Sequence, residues 1–187
     1  MTRLTPQPHP QTPHAGFTVE QFHRLCEAVP EQRLELIDGE VLAVIAKGTR
    51  HSVLVNRLMQ LITLWLAAQA DCPWELRVES PLRLGARDEP EPDLALVQQR
   101  SHGYLSAHPE ASDTVLVIEV SDSSLAFDRQ CKGNLYRNAG IPHYWVIDVR
   151  GPQLIRVFSP NQQASELDPL QRKVEELLKS IPPATTP

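Results

Sequence analysis

The apolar and polar positions of this chain fall into two alternating periods. In "FTVEQFHRLCEAV" the apolar residues follow a helical spacing. Thr18 stands where an N-cap belongs, with Gln21 three residues on to close a capping box and Phe17 and Phe22 placed as a hydrophobic staple. "RLELIDGEVLAVIA" switches to a period of two around Asp38-Gly39, a two-residue turn signal. That pattern predicts an antiparallel hairpin over residues 33–37 and 40–46. In "TRHSVLVNRLMQLITLWLAAQA" residues Leu54, Leu58, Leu61, Ile62 and Trp65 form one apolar stripe, which predicts a long helix. Short strands are expected at "WELRVES" and "PLRLG". The unbroken apolar runs "DLALV" and "TVLVIEV" read as buried central strands. "AFDRQCKGNLYRNAG" reads as a helix ended by Gly140, and "HYWVIDV" and "QLIRVFS" as two strands joined at residues 150–152. "ELDPLQRKVEELLKS" closes the chain as a charged helix. The order predicts an α/β (α+β) fold, a mixed sheet flanked by helices.

The proline-rich stretch over residues 1–16 has no periodic pattern and reads as a disordered tail. Residues 17–160 form the expected domain, and 161–187 a charged helix and tail. The 187 residues suffice for one core, and 41% hydrophobic content is globular. A net charge of −5 gives no general electrostatic grip on nucleic acid. No run approaches the ~18 apolar residues of a membrane span. The N-terminus has no apolar signal-peptide core. Cys26, Cys72 and Cys131 lack metal spacing and cannot all pair, so a cytoplasmic protein without a membrane partner is expected.

Two acids disturb the apolar runs. Glu119 lies inside "VLVIEV", and Asp93 starts "DLALV". An ionised carboxylate in an apolar strand is costly unless paired or bound to a metal. If the two strands are antiparallel with Val97 opposite Val115, Asp93 falls opposite Glu119, about 5 Å away across the ladder. Two like charges there destabilise the sheet, and a divalent cation would reverse the sign. The alternative is that both acids sit at strand ends in water. Asp128, Lys132 and Tyr136 recur every four residues and share one helix face; Phe127, Cys131, Leu135 and Ala139 form an adjoining apolar face. That places Lys132 at the edge of the helix–sheet contact, able to reach toward Glu119. The alternative is an Asp128–Lys132 surface pair worth about a few tenths of a kcal/mol.

"LELIDGE", a following helix carrying His51, "PDLALV" and "VIEVSDSSLAFDRQCKGNLYRNAGIPHYWVID", in that order, resemble the putative restriction endonuclease family, formerly a domain of unknown function. That family belongs to the PD-(D/E)xK nuclease superfamily. The resemblance runs from about Thr18 to Phe158 and implies a restriction-endonuclease-like fold. It implies Asp93 and Glu119 as catalytic metal ligands, Lys132 as the catalytic lysine and Glu35 as a further acid. Ser121 stands where the superfamily pattern has a lysine; Lys132, on the next helix, matches the place to which this family's lysine has moved. His51, Ser121, Asp128 and Tyr136 are accessory candidates. Mg²⁺ or Mn²⁺ is the implied cofactor, DNA the implied partner, and a homodimer the implied assembly.

The expected function is metal-dependent hydrolysis of DNA phosphodiester bonds, in which the metal lowers the pKa of a water and polarises the phosphate. The alternative is a catalytically weak or inactive module that keeps the fold and binds nucleic acid or a protein partner. Cys131 reads as core, Tyr144 and Trp145 as core and strand-edge packing, His143 as a surface or capping residue, and Asp148 as a turn residue.

Overall fold

A computed structural model describes residues 16–159 and 166–184. The expected disordered tail, apart from Gly16, lies outside the described residues, as do residues 160–165 and 185–187. The elements in order are α1 (Val19–Ala28), β1 (Leu34–Ile37), β2 (Glu40–Ala43), α2 (Thr49–Ala67), β3 (Trp74–Val78), β4 (Leu94–Gln98) and β5 (Thr114–Ser121). They continue with α3 (Leu125–Phe127), a π-helical turn (Asp128–Lys132), α4 (Gly133–Asn138), β6 (His143–Asp148), β7 (Gln153–Phe158) and α5 (Asp168–Lys179).

Local chemistry accounts for the entry into the fold. Thr18 caps α1 and closes the capping box with Gln21. Asp38 and Gly39 take φ of 50° and 75°, the left-handed pair that a tight hairpin turn requires, and they join β1 to β2. A backbone bridge between Leu36 and Glu89 ties this hairpin to the segment that leads into β4.

The main sheet has the order β3-β4-β5-β6-β7, with β5 and β6 parallel and the other neighbours antiparallel. β5 is buried along its whole length and is the middle strand. The sheet's alternation assigns its two faces. Leu94, Leu96, Leu116, Ile118, Trp145 and Ile147 point to a core with the α2 stripe of Leu54, Leu58, Ile62 and Trp65. Leu170, Val174 and Leu178 of α5, four residues apart, close that core. Each such side chain contributes roughly 1.5–3 kcal/mol by leaving water. Ala95, Val97, Val117, Tyr144 and Val146 face the other way, against Tyr136 of α4.

Several expectations are corrected. "PLRLG" forms no strand; Arg83 makes a single bridge to Glu110. Phe17 is exposed and stays outside the cluster of Val19, Phe22 and Leu36, so no staple forms. Strands β4 and β5 keep the expected register from Leu94↔Ile118 to Leu96↔Leu116, but a bulge then sets Val97 opposite Thr114 rather than Val115. Phe127 and Cys131 are exposed, not packed on the sheet, and His143 is buried, with Nδ1 2.8 Å from the Ser159 hydroxyl. Tyr144 and Trp145 are buried as expected, and Asp148 Oδ1 accepts the Arg150 N–H at 2.9 Å, a turn contact.

Candidate active site

The end of β5 places Glu119 on the face that carries Val117, and two residues of the neighbouring helix reach it. Lys132 Nζ lies 3.1 Å from Glu119 Oε1, and the Tyr136 hydroxyl donates to the same oxygen at 2.9 Å. Lys132 also lies 3.0 Å from Glu35 Oε2 on β1. Its ammonium is therefore shared between two carboxylates from separate sheets. Lys132 reaches Glu119 from the helix–sheet contact, as expected, and is buried there. The π turn at Asp128–Lys132 adds a wide step in the helix, and Asp128, Lys132, Gly133 and Tyr136 are all buried around it. Such turns interrupt α-helices rarely, and frequently at functional sites.

Asp128 forms no surface pair with Lys132. Its Oδ2 accepts the hydroxyls of Ser121 and Ser124, each at 2.6 Å, and its carbonyl accepts the Tyr144 hydroxyl at 2.9 Å. It fixes the helix start to the end of β5. Ser121, in the place of the superfamily lysine, is thus an anchor for the helix that brings Lys132.

Asp93 precedes β4 and is 2% exposed, so the reading of both acids in water is excluded. The register of β4 and β5, continued one step from Leu94↔Ile118, sets it opposite Glu119. Asp93 Oδ2 accepts the Val120 N–H at 2.7 Å. Oδ1 accepts from Lys47 Nζ at 2.6 Å and lies 3.1 Å from His51 Nε2. Lys47 Nζ also lies 3.4 Å from His51 Nε2, and among the described residues His51 Nδ1 has no hydrogen-bond partner. Sequence reasoning missed Lys47. The available signal was its position four residues before His51, just after the apolar run that leaves the hairpin.

Glu35, Lys47, His51, Asp93, Glu119, Asp128 and Lys132 line one cavity of about 430 Å³. Burial pushes Glu119 up to about 8; Lys132 opposes this, and the charge of Asp93 adds to it. Burial would also raise Asp93, but the His51 hydrogen bond and the charge of Lys47 outweigh it and bring Asp93 down to about 2. Burial would lower Lys132, yet the charges of Glu119 and Glu35 hold it above the ordinary lysine value. Burial and the Glu119 charge keep Tyr136 well above its usual value, so it remains a donor. The two cavity acids Glu91 and Asp122 each have an arginine, Arg33 and Arg150.

The carboxylate oxygens of Glu35, Asp93 and Glu119 in this cavity are the hard donors that a divalent cation prefers. Among the described residues no three His, Cys, Asp or Glu side chains already form a cage. Mg²⁺ does not need one: it is commonly held by one or two carboxylates together with water and substrate phosphate. The residues fit such an ion: Asp93 and Glu119 are the two that could hold it, with Glu35 in the same cavity.

Residues 19–185 match the family described as putative restriction endonuclease, Uma2. The chain belongs to that family. The match continues past Phe158 and takes in α5. Among solved structures it is similar to a putative nuclease belonging to DUF820 from Anabaena variabilis ATCC 29413. The TM-score is 0.57 at 16% identity, over 80% of this chain and 83% of that one, a likeness of fold alone. No curated protein matches the sequence. The family is one of nucleases, and the five-stranded mixed sheet flanked by helices is a nuclease-like fold. Among the described residues no helix is long and apolar enough to cross a membrane.

Proposed function

We propose that the chain is a divalent-metal-dependent endonuclease that hydrolyses DNA phosphodiester bonds, with Mg²⁺ or Mn²⁺ held by Asp93 and Glu119. The observation that carries this reading is the buried Lys132 ammonium shared by Glu35 and Glu119, in one cavity with Asp93. A buried lysine with two acids is costly to assemble for packing alone. When bound, the metal supplies a water of lowered pKa and polarises the phosphate.

The protein's own groups do the rest. The Val120 N–H and His51 aim Asp93 into the cavity. Tyr136 and Lys132 both hold Glu119 Oε1, and neither contact uses Oε2. Lys132 keeps its proton and offsets negative charge that develops on the phosphate. Glu35 Oε2 accepts the Glu91 N–H at 3.3 Å besides Lys132, which keeps that lysine in place. In this reading the partners are DNA and a second copy of the chain, and the compartment is the cytoplasm, where free Cys26, Cys72 and Cys131 stay reduced.

The test is cleavage of supercoiled, duplex, single-stranded and branched DNA with Mg²⁺ or Mn²⁺, comparing the parent with Glu119→Gln. Parent activity that is lost with EDTA and in Glu119→Gln supports the reading. No cleavage of any of these substrates by the parent, with DNA binding retained, moves the function to the binding module.

A further inference from the structure

Lys47 and Lys132 serve the same cavity but are held in opposite ways. Lys132 is sealed between two carboxylates, its side chain 7% exposed; that of Lys47 is 28% exposed and meets one acid, Asp93. Lys47 lies on residues 44–48, which form neither strand nor helix, and Ile45 on the same segment is 80% exposed. The Lys47 head can therefore leave Asp93 without breaking a ladder or a helix.

The Asp93 oxygens divide the work. Oδ2 accepts the Val120 N–H, a strand backbone group, whereas Oδ1 is held by side chains alone, Lys47 and, at 3.1 Å, His51, so Oδ1 is the oxygen that a side-chain movement opens to a cation. Oδ1 is the oxygen that Lys47 occupies at 2.6 Å. An ammonium and a divalent ion repel strongly at that separation in a site of low dielectric. Lysine is a compact charge on a flexible stem and a common phosphate binder. We propose that Lys47 is a displaceable counterion: it neutralises Asp93 until the metal arrives, then turns into the cavity mouth and binds a phosphate of the nucleic-acid substrate. This rests on the metal site proposed above. It gives the site two lysines with separate tasks, one fixed beside the acids and one that moves to the substrate.

The test is calorimetric titration of Mn²⁺ into the parent, Lys47→Met and Lys47→Arg, followed by binding of a short DNA duplex in Ca²⁺ at several KCl concentrations. Loss of the competing charge should tighten Mn²⁺ binding by Lys47→Met about tenfold, the worth of one charged hydrogen bond at its lower end. The slope of log affinity against log salt should fall by about 0.9, one phosphate contact. Lys47→Arg should keep the parental slope. If Lys47→Met does not fold, Lys47→Gln carries the same comparison, since it can still donate to Asp93 without the charge. Mn²⁺ binding by the neutral variant equal to or weaker than the parent's overturns the inference, as does an unchanged salt slope. A parent that binds no Mn²⁺ overturns the metal site and this inference together; a parent that binds it while the neutral variant shows no gain overturns this inference alone.

Discussion

Lys132 Nζ stands 3.1 Å from Glu119 Oε1, and both side chains are buried, although the residues lie thirteen positions apart on a helical π turn and a central strand. The strand's alternation sends Glu119 to the face that the helix covers, and the wide turn sends Lys132 into the same space. The pair is a product of two elements, each of which places one charge where packing alone would place a hydrophobe.

Burial of that pair fixes the cost of breaking it. Lys132→Ala leaves Glu35 and Glu119 without their cation, so the metal-free protein should lose roughly 3–5 kcal/mol, the usual result of removing one partner of a buried pair. The double variant Lys132→Met with Glu119→Gln should recover part of this, since Glu119 then carries no charge and only Glu35 is left without its cation. Urea denaturation of the three proteins measures it. A single variant as stable as the parent would show that Lys132 is solvated rather than sealed.

Tyr136 separates the hydrogen bond from the charge. Its hydroxyl donates to Glu119 Oε1 at 2.9 Å from a fully buried ring. Tyr136→Phe keeps the ring and loses the donor, so it should cost about 1 kcal/mol. Cleavage should fall less than in Lys132→Ala, where removal of a preorganised electrostatic group costs about 10² or more. Equal losses in the two variants would mean that aiming Glu119, and not the lysine charge, limits the reaction.

How far the sequence reveals this site depends on which residue is asked about. Glu119 and Asp93 are legible because a carboxylate in an apolar strand run breaks the local rule, and such breaks cluster at functional sites. The strand register was legible from Leu94 to Leu96 and failed at Val97, because a bulge inserts a residue that no composition signal marks. The helix face was half legible. Asp128, Lys132 and Tyr136 do share a side, but the rule that apolar residues point inward predicts Phe127 and Cys131 in the core, and here the polar stripe turns in and those two turn out. Lys47 was illegible for a different reason: it reaches Asp93 across 46 positions from an irregular segment, which has no period to read.

The C-terminal helix tests the reach of the core. Leu170, Val174 and Leu178 are buried against the α2 side of the sheet. Leu170→Ala should destabilise the protein by about 2–5 kcal/mol, as for other buried leucines, with the cleavage site left in place. A loss of unfolding free energy in urea below that range would show that α5 packs loosely.

His143 sets a limit at mildly acidic pH. Burial, with the charge of Arg156, holds its pKa below the ordinary histidine value of 6.5, and Asp168 opposes them. The folded state keeps the ring neutral where the unfolded chain would protonate it. The linked stability is therefore present above pH 6.5 and is lost as pH falls below it through the depressed folded value. The raised pKa of Glu119 works in the opposite direction over pH 8 to 5, so the readout is the difference in thermal melts between the parent and His143→Gln: below pH 6.5 the parent should lose thermal stability relative to the variant. A difference that stays constant across the range would show that His143 is not linked to folding.

The metal site itself is decided by comparing two buried aspartates in one cavity. Asp93 offers Oδ1 to a cation, whereas Asp128 Oδ2 is committed to the hydroxyls of Ser121 and Ser124. A ligand that binds only the folded state stabilises it by mass action, about 2.7 kcal/mol at a hundredfold excess over Kd. For a protein of this size that corresponds to a rise in Tm of about 5 to 10 °C. Mn²⁺ should produce it in the parent. Asp93→Asn should abolish the rise, because the amide keeps the shape and loses the charge that a divalent ion requires. Asp128→Asn should melt lower than the parent without metal, since it weakens the anchor at the start of the helix, yet retain a rise of the same size. A rise that survives in Asp93→Asn and vanishes in Asp128→Asn would move the ion from the β4–β5 acids to the serine-bound carboxylate at the end of β5.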